Sequence, residues 1–343
     1  MIEVIFTVDY EIYGNGEGSL KEAAFEPAEK LYSLFARRKA RFVIFAEVAE
    51  LEIIEANAAD ADIGLIKSQL RRFYKEGVEF GLHIHPWWYG AHIENRKWLL
   101  DYDSYNLCTQ PRERIDQILD RSLAYYRILL GSPSFVPICF RAGHLLFQPT
   151  QPLSRALVER GIRLDSSFYK GGLWQQYKQD YRIGPLNSPY WRFTDDVTIS
   201  EPEGALVEIP IYTQMTPIWR LFTSKRVNQQ HASLTAKRTW RKIRTRVQDF
   251  MRLYYPQKFD VGQMTRDEMI RMMDRIIHYD EKNPLMYHPI VVIMHTKDPI
   301  DFAGMDALIS RISEAQITIS TFSDALRKIR GLQNNKESGQ NLI

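Results

Sequence analysis

Residues 63–86, IGLIKSQLRRFYKEGVEFGLHIHP, contain the transition that decides the fold. Residues 63–75 are predicted to form a helix, and Gly77 stands in the C′ position that follows a helix end. The apolar stretch from residue 78 to residue 85 then predicts a strand. A helix that leads directly into such a strand is typical of α/β proteins.

The same alternation continues on both sides of this stretch. Further strands are predicted at residues 2–7, 41–45, 137–141, 162–164, 289–294 and 317–319, and further helices at residues 26–38, 111–130, 152–160, 265–278, 307–314 and 323–329. Two strands at residues 191–199 and 205–212, joined by a turn around Pro202 and Gly204, interrupt the pattern. Repeated strand–helix units predict a parallel sheet covered by helices, either open or closed into a barrel. We expect one domain over residues 1–330 and a flexible tail at residues 331–343.

Length and composition exclude several classes of protein. The chain has 343 residues, of which 45% are hydrophobic and 25% are charged, as in soluble globular proteins. No apolar run approaches the ~18 residues that a membrane-spanning helix needs. The N-terminus has no basic region or cleavage site typical of a signal peptide. Two cysteines are too few for a disulfide scaffold or a cysteine zinc site, and the cytoplasm is the predicted location.

Positive charge is concentrated in one segment. Residues 220–252 contain ten Lys or Arg residues and a single acid, Asp249, whereas the whole chain has a net charge of only +3. We interpret residues 216–262 as an insertion, with a basic amphipathic helix over residues 234–254 whose apolar side docks on the barrel. The alternative is a peripheral contact with anionic lipid headgroups. Nucleic-acid binding is not expected, because no binding motif accompanies the charge.

Polar side chains follow most of the predicted strands. They are Asp9 and Glu11, His83 and His85, Arg141 and His144, Asp165, and His295. In α/β folds, functional residues gather where the carboxyl ends of the strands meet. We therefore expect these side chains to lie close together.

The spacing of two histidines favours a metal site. Residues i and i+2 of a strand face the same way, so His83 and His85 project together. Two imidazoles with one carboxylate form an open catalytic zinc site, and the same set also suits non-haem Fe(II). The remaining histidines, His92, His231, His278 and His288, are interpreted as ordinary surface or core residues.

These motifs resemble those of the polysaccharide deacetylase family (NodB homology, carbohydrate esterase family 4). The resemblance extends from the first strand to about residue 329 and is greatest to the lipopolysaccharide and exopolysaccharide branch with a His-x-His-Pro-Trp motif. The motifs that carry it are Thr7-Val8-Asp9, His83-Ile84-His85-Pro86-Trp87, Arg141, Asp165-Ser166-Ser167-Phe168 and Ile293-Met294-His295. The fold that the resemblance implies is a distorted (β/α)7 barrel.

The resemblance also implies a role for each matching residue. Asp9 is the catalytic base, which Arg141 orients, and His295 is the acid, whose pKa Asp165 tunes. The family's second aspartate is replaced by Tyr10, so we assign Glu11 as the third metal ligand beside His83 and His85. The exchange of roles between Asp9 and Glu11 remains open. The cofactor implied is one divalent ion, Zn²⁺ or alternatively Fe²⁺, Co²⁺, Mn²⁺ or Ni²⁺.

The implied reaction is metal-dependent removal of an N-acyl group, N-acetyl in the first instance, from a sugar, sugar nucleotide or lipid-linked glycan in surface-polysaccharide biosynthesis. The residues predicted to contact this substrate are Trp87, Trp88, His144, Phe168 and Ile293. The enzyme would work in the cytoplasm, at the inner face of the membrane if the basic helix contacts lipid. Two alternatives stay open: a deformylase or other amide hydrolase, and an inactive glycan-binding barrel.

Overall fold

The computed structural model describes residues 1–95, 97–217, 219 and 253–340, with side chains described as far as residue 332. In this part of the chain, seven parallel strands form the main sheet. They are β1 (Ile2–Tyr10), β2 (Val43–Glu47), β3 (Glu79–Ile84), β4 (Cys139–Ala142), β5 (Leu164–Asp165), β6 (Leu206–Glu208) and β7 (His288–His295). Their order across the sheet is β6-β5-β4-β3-β2-β1-β7.

The curled sheet is brought nearly to closure by the segment after β6. Ile211 forms a parallel bridge with Val291 of β7, and the Tyr212 N–H donates to the Val291 carbonyl at 3.0 Å. This contact links the two ends of the seven-strand order. The predicted distorted (β/α)7 barrel is therefore confirmed as the fold class. Two short strands extend this sheet: Trp191–Phe193 pairs antiparallel with β6, and Thr318–Ile319 pairs parallel with the first residues of β1.

Helices cover the outside of the sheet. In the described chain, the α-helices are α1 (Glu26–Arg37), α2 (Val48–Ala56), α3 (Ile63–Lys75), α4 (Arg112–Leu130), α5 (Leu153–Glu159), α6 (Arg266–Lys282), α7 (Phe302–Glu314) and α8 (Phe322–Gln340). The capping box of α6 is formed as predicted, with Thr265 and Glu268 bonded reciprocally. None of the described helices combines the length and hydropathy required to cross a membrane.

The differences from the predicted elements have local causes. The sequence analysis missed α2, because its nine residues are fewer than the ~11 over which a helical period can be recognised; six of the nine, including Glu50, are buried. The strand predicted at residues 191–199 ends at Phe193, where the chain turns. The last helix extends to Gln340, beyond the predicted start of the tail at residue 331. The predicted basic helix lies almost entirely in residues 220–252, outside the described residues.

Candidate metal centre

The carboxyl ends of four strands bring the predicted site residues together. Asp9 of β1 is paired in register with His295 of β7, and His83 of β3 with Arg141 of β4. Glu11 and His85 come just after the ends of β1 and β3. Because all seven strands are parallel, these positions lie at one edge of the sheet, where such folds place their functional sites.

A cluster of buried oxygen and nitrogen atoms at this edge fits a divalent metal ion. Glu11, Glu47, His83 and His85 can each offer one ligand atom, and these atoms all lie within 4.8 Å of one another. The Glu11 Oε2 atom is 3.8 Å from His83 Nε2 and 3.5 Å from His85 Nδ1. Adjacent ligands of a tetrahedral zinc ion are about 3.4 Å apart. The Glu11 and His83 atoms therefore need only small movements to share one ion, whereas His85, whose Nδ1 is also held by Glu47 at 2.7 Å, would have to bind it through Nε2.

Tyr10, which stands where the resembled family has a metal-binding aspartate, faces away from this cluster. Its side chain is fully buried on the helix side of β1, and its hydroxyl donates to Gln69 Oε1 at 2.7 Å. Successive residues of a strand point to opposite faces, so Asp9 and Glu11 share the face that Tyr10 leaves. Glu11 consequently supplies the carboxylate that Tyr10 cannot supply.

Glu11 is also bound by a lysine that the sequence analysis did not select. Lys297 Nζ is 2.7 Å from Glu11 Oε1, and the lysine side chain is 19% exposed. Burial alone would raise the pKa of Glu11, but Lys297 and the two histidines outweigh it and hold that pKa well below its usual range. Glu11 is therefore ionised, as a metal ligand must be.

The orientation of His83 leaves one nitrogen available for an ion. Its Nδ1 atom lies 2.9 Å from the main-chain carbonyl of Arg141. A carbonyl oxygen only accepts hydrogen bonds, so Nδ1 carries a proton, and Nε2, which faces Glu11 Oε2 at 3.8 Å, is the nitrogen that an ion would bind. Metal-binding histidines typically have such a partner for their second nitrogen.

His85 has a stronger partner of the same kind in Glu47. The Glu47 Oε2 atom accepts the main-chain N–H of His85 at 2.6 Å and lies 2.7 Å from His85 Nδ1. These two contacts use both lone pairs of that oxygen, so we interpret Glu47 as a positioning residue for His85 and not as a ligand. The sequence analysis missed Glu47, although it follows an apolar strand as the other site residues do. It could have been found by the same rule.

We expect Glu47→Gln to raise the Zn²⁺ dissociation constant about 10–100-fold, because loss of such a partner weakens the orientation of the ligand that it holds. Glutamine keeps the size of the side chain, which limits any effect on folding. Competitive titration against a chromogenic chelator would measure the constant, with the exposed Glu22→Gln as a control. An unchanged constant in Glu47→Gln would contradict the assignment.

The predicted catalytic base is held by a buried arginine. The Arg141 guanidinium donates to Asp9 Oδ1 at 2.6 Å, to Thr7 Oγ1 at 3.0 Å and to the Ser166 carbonyl at 3.0 Å. Burial would raise the pKa of Asp9, but the charges of Arg141, His83 and His295 hold it below its usual value. Asp9 is thus an ionised carboxylate whose second oxygen, Oδ2, lies 3.5 Å from His295 Nε2.

The acid partner of His295 differs from the one predicted. His295 Nδ1 lies 3.1 Å from Asp298 Oδ2, whereas Asp165 accepts the N–H and hydroxyl of Ser167 at 3.0 and 2.8 Å. The prediction that Asp165 tunes His295 is therefore corrected in favour of Asp298. Burial lowers the pKa of His295, but Asp298, Asp9 and Asp260 together raise it above its usual value. His295 is suited to carry a proton near neutral pH.

A cavity of about 360 Å³ opens beside these residues. Of the predicted substrate contacts, His144 and Ile293 line it. The His144 ring stacks on Tyr105 at 4.5 Å, and its buried Nε2 atom has no hydrogen-bond partner among the described residues. The aromatic side chains that line the cavity are Tyr169, Trp174 and Tyr255.

The other three predicted substrate contacts are core residues. Trp87 and Trp88 are each 1% exposed, with Trp87 stacked on His85 at 4.7 Å, and Phe168 is fully buried against Tyr181. A side chain this deeply buried has no free face for a sugar ring, so these three predictions are corrected. The sequence cannot show whether a tryptophan lies in the core, as Trp87 does, or lines the cavity, as Trp174 does, because burial depends on packing in the folded protein.

Comparison with solved structures identifies the fold. The chain superposes on a protein of Mycobacterium smegmatis assigned as a polysaccharide deacetylase, with a TM-score of 0.55 and 12% identity over 97% of this chain and 91% of the other. For a similarly assigned protein of Pseudomonas aeruginosa PAO1, the TM-score is 0.52, with 16% identity over 95% and 90%. The fold is that of the polysaccharide deacetylases.

This likeness establishes the fold but not the substrate. PuuE allantoinase matches nearly as well, with a TM-score of 0.51 and 14% identity over 95% of this chain and 89% of the other. No family model and no curated protein matches the sequence. One fold commonly serves several chemistries, so the function has to be argued from the site.

Proposed function

We propose that this protein is a metal-dependent hydrolase that removes an N-acyl group, first of all N-acetyl, from a sugar or glycan precursor of a surface polysaccharide. The observation that carries the proposal is the convergence of Glu11, His83 and His85 beside an Asp9–Arg141 pair and His295. This set combines ligands for an ion, a base and an acid around one cavity.

The residues around the cavity have complementary tasks in such a reaction. An ion held by Glu11, His83 and His85 would polarise the acyl carbonyl and lower the pKa of water from 15.7 to about 7. Asp9, oriented by Arg141, accepts the proton of the attacking water. The amine leaves with a proton from His295, whose charged form Asp298 stabilises. Each proton transfer of this kind typically contributes about 10²–10⁴-fold to the rate.

Release of acetate tests the proposal directly. The purified protein, loaded with Zn²⁺ or Fe²⁺, would be incubated with N-acetylated sugars, sugar nucleotides and lipid-linked sugars, and acetate would be measured with and without a chelator. We expect release that the chelator abolishes. Formate release from N-formyl substrates would favour the deformylase instead, and glycan binding with no release from any substrate would favour an inactive binding barrel.

The predicted location is part of the same proposal. A sugar nucleotide or lipid-linked glycan made at the inner face of the membrane would suit a cytoplasmic enzyme. The proposed lipid contact depends on residues 234–254, most of which lie outside the described residues. Sedimentation of the protein with anionic and neutral vesicles would test this contact separately from catalysis.

As the pH rises, the activity of the Asp298→Asn variant should begin to fall at a lower pH than that of the parent protein. His295 acts in its charged form, so the rate falls as the pH rises through the pKa of His295. Because Asp298 raises that pKa, its removal lowers it and moves the alkaline limb of the kcat profile toward acid. The profile would be measured beside the exposed control Asp103→Asn. An unshifted alkaline limb would show that Asp298 does not tune the acid.

A further inference from the structure

Three of the four charged side chains that line the cavity in the described part of the chain, the histidines apart, are in close ion pairs. The charged lining residues, apart from the histidines, are Asp9, Glu11, Lys258 and Lys297. Asp9 is paired with Arg141 at 2.6 Å, and Glu11 with Lys297 at 2.7 Å. Lys258 has no carboxylate within 4.0 Å among the residues that the structure describes.

The surroundings of Lys258 place its ammonium against the cavity wall. The residue ends the strand Tyr254–Lys258, which pairs antiparallel with Thr213–Pro217, and its side chain is half-buried. Its Nζ atom lies 5.2 Å from the centre of the Tyr169 ring. Asp260, two residues further, is buried and accepts the Gly262 N–H at 3.1 Å; burial raises its pKa, and the more distant charge of Lys258 offsets this only in part.

The chemistry of Lys258 indicates what it can bind. An ammonium on a four-carbon stem is a compact charge with three donors, and it suits a phosphate or carboxylate oxygen. A neutral acylated sugar has no group that requires this cation. The rings of Tyr169 and Trp174 line the same cavity and offer apolar surface to a sugar.

We propose that the substrate carries an anionic group, a phosphate or a carboxylate, next to its acylated sugar, and that Lys258 binds this group. The inference rests on the proposed function, because it concerns the substrate of the same site. It adds a specificity that acyl hydrolysis alone does not require. Lys258 thus selects acidic or phosphorylated sugars from neutral ones.

This proposal is tested by measuring binding to the Zn²⁺-loaded His295→Ala variant of the whole chain, because this variant should keep the ion but hydrolyse substrate only slowly. Three probes would be compared by calorimetry: N-acetylglucosamine, N-acetylglucosamine 1-phosphate and N-acetylglucosaminuronic acid. We expect at least one anionic probe to bind about tenfold or more tightly than the neutral sugar, since a charge-assisted hydrogen bond contributes an effect of this size. Whether the phosphate or the carboxylate binds more tightly identifies the source of the charge.

Substitution of Lys258 separates its effect from that of the ion, which attracts anions in every variant. We expect Lys258→Met to reduce the preference for the anionic probe about tenfold, to the level that the ion alone provides, Lys258→Arg to retain most of it, and the exposed control Lys75→Met to leave it unchanged. Equal binding of all three probes, no measurable binding of either anionic probe, or a preference that is as large in Lys258→Met as in the parent would overturn the proposal. Acetate release from neutral and anionic sugars alike would leave the hydrolase standing while removing this inference. A Lys258-dependent preference without acetate release from any substrate would support this inference and contradict the proposed hydrolase.

Discussion

The His295→Ala variant should retain its metal ion and lose about 10²–10⁴-fold in the rate of acyl hydrolysis. Its imidazole lies 3.5 Å from Asp9 Oδ2 and 3.9 Å from Glu11 Oε1, on the cavity side of the cluster. Removal of this ring takes away the proton donor for the leaving amine, whereas Glu11, His83 and His85 remain. Steady-state acetate release and metal analysis of the same preparation would measure both properties.

His83→Ala should show the opposite separation, with loss of the metal itself. The substitution removes one of the three proposed ligands, and the Arg141 carbonyl loses the hydrogen bond by which it orients the His83 ring. The exposed His278→Ala, whose ring lies 3.4 Å from Glu281, is a control for both variants. A full equivalent of metal in His83→Ala would rule out this ligand assignment, and near-normal turnover in His295→Ala would remove the proposed acid.

The largest effect on stability is expected from Arg141→Met. The guanidinium is fully buried, donates to Asp9, Thr7 and Ser166, and lies over the Phe45 ring at 4.1 Å. Methionine keeps much of the apolar stem but leaves the Asp9 carboxylate buried without its partner. Removal of one member of a buried ion pair typically lowers the free energy of unfolding by about 3–5 kcal/mol. Denaturant titration of the metal-free protein would measure this change.

Two further variants show whether the charge is the cause. The double variant Arg141→Met with Asp9→Asn should recover part of the lost stability, because the unpaired charge is gone. Arg155→Met breaks an ion pair of similar length with Asp195, at 2.7 Å, but both partners are largely exposed. Such surface pairs contribute about 0–1 kcal/mol, so this control should change little. Equal losses in Arg141→Met and Arg155→Met would contradict the argument from burial.

Periodicity and strand ends predicted most of the fold. β7 was found from its continuous apolar run, and α6 from the Thr265–Glu268 capping box, because both signals are local. α2 was missed because it has only nine residues, fewer than the ~11 over which a helical period can be recognised. The basic segment stays a prediction.

For the site, the rule that polar residues after parallel strands converge was sufficient to bring Asp9, Glu11, His83, Arg141 and His295 together. It failed where the partner depends on side-chain direction. The acid beside His295 is Asp298, three residues along the same loop, and the partner of Glu11 is Lys297. Neither pairing follows from strand spacing, because both occur in the irregular chain beyond β7.

The sequence by itself determined the alternation of strands and helices and the identity of the residues at the strand ends. Chain-local properties, such as apolar period and capping, carry that information. Only the tertiary structure decided which aromatic rings reach the cavity, that Tyr10 faces Gln69 while Glu11 faces the histidines, and that Lys258 lacks a carboxylate partner among the described residues. These outcomes depend on side-chain direction and on neighbours distant in sequence, so burial and charge compensation emerge only when the barrel is assembled.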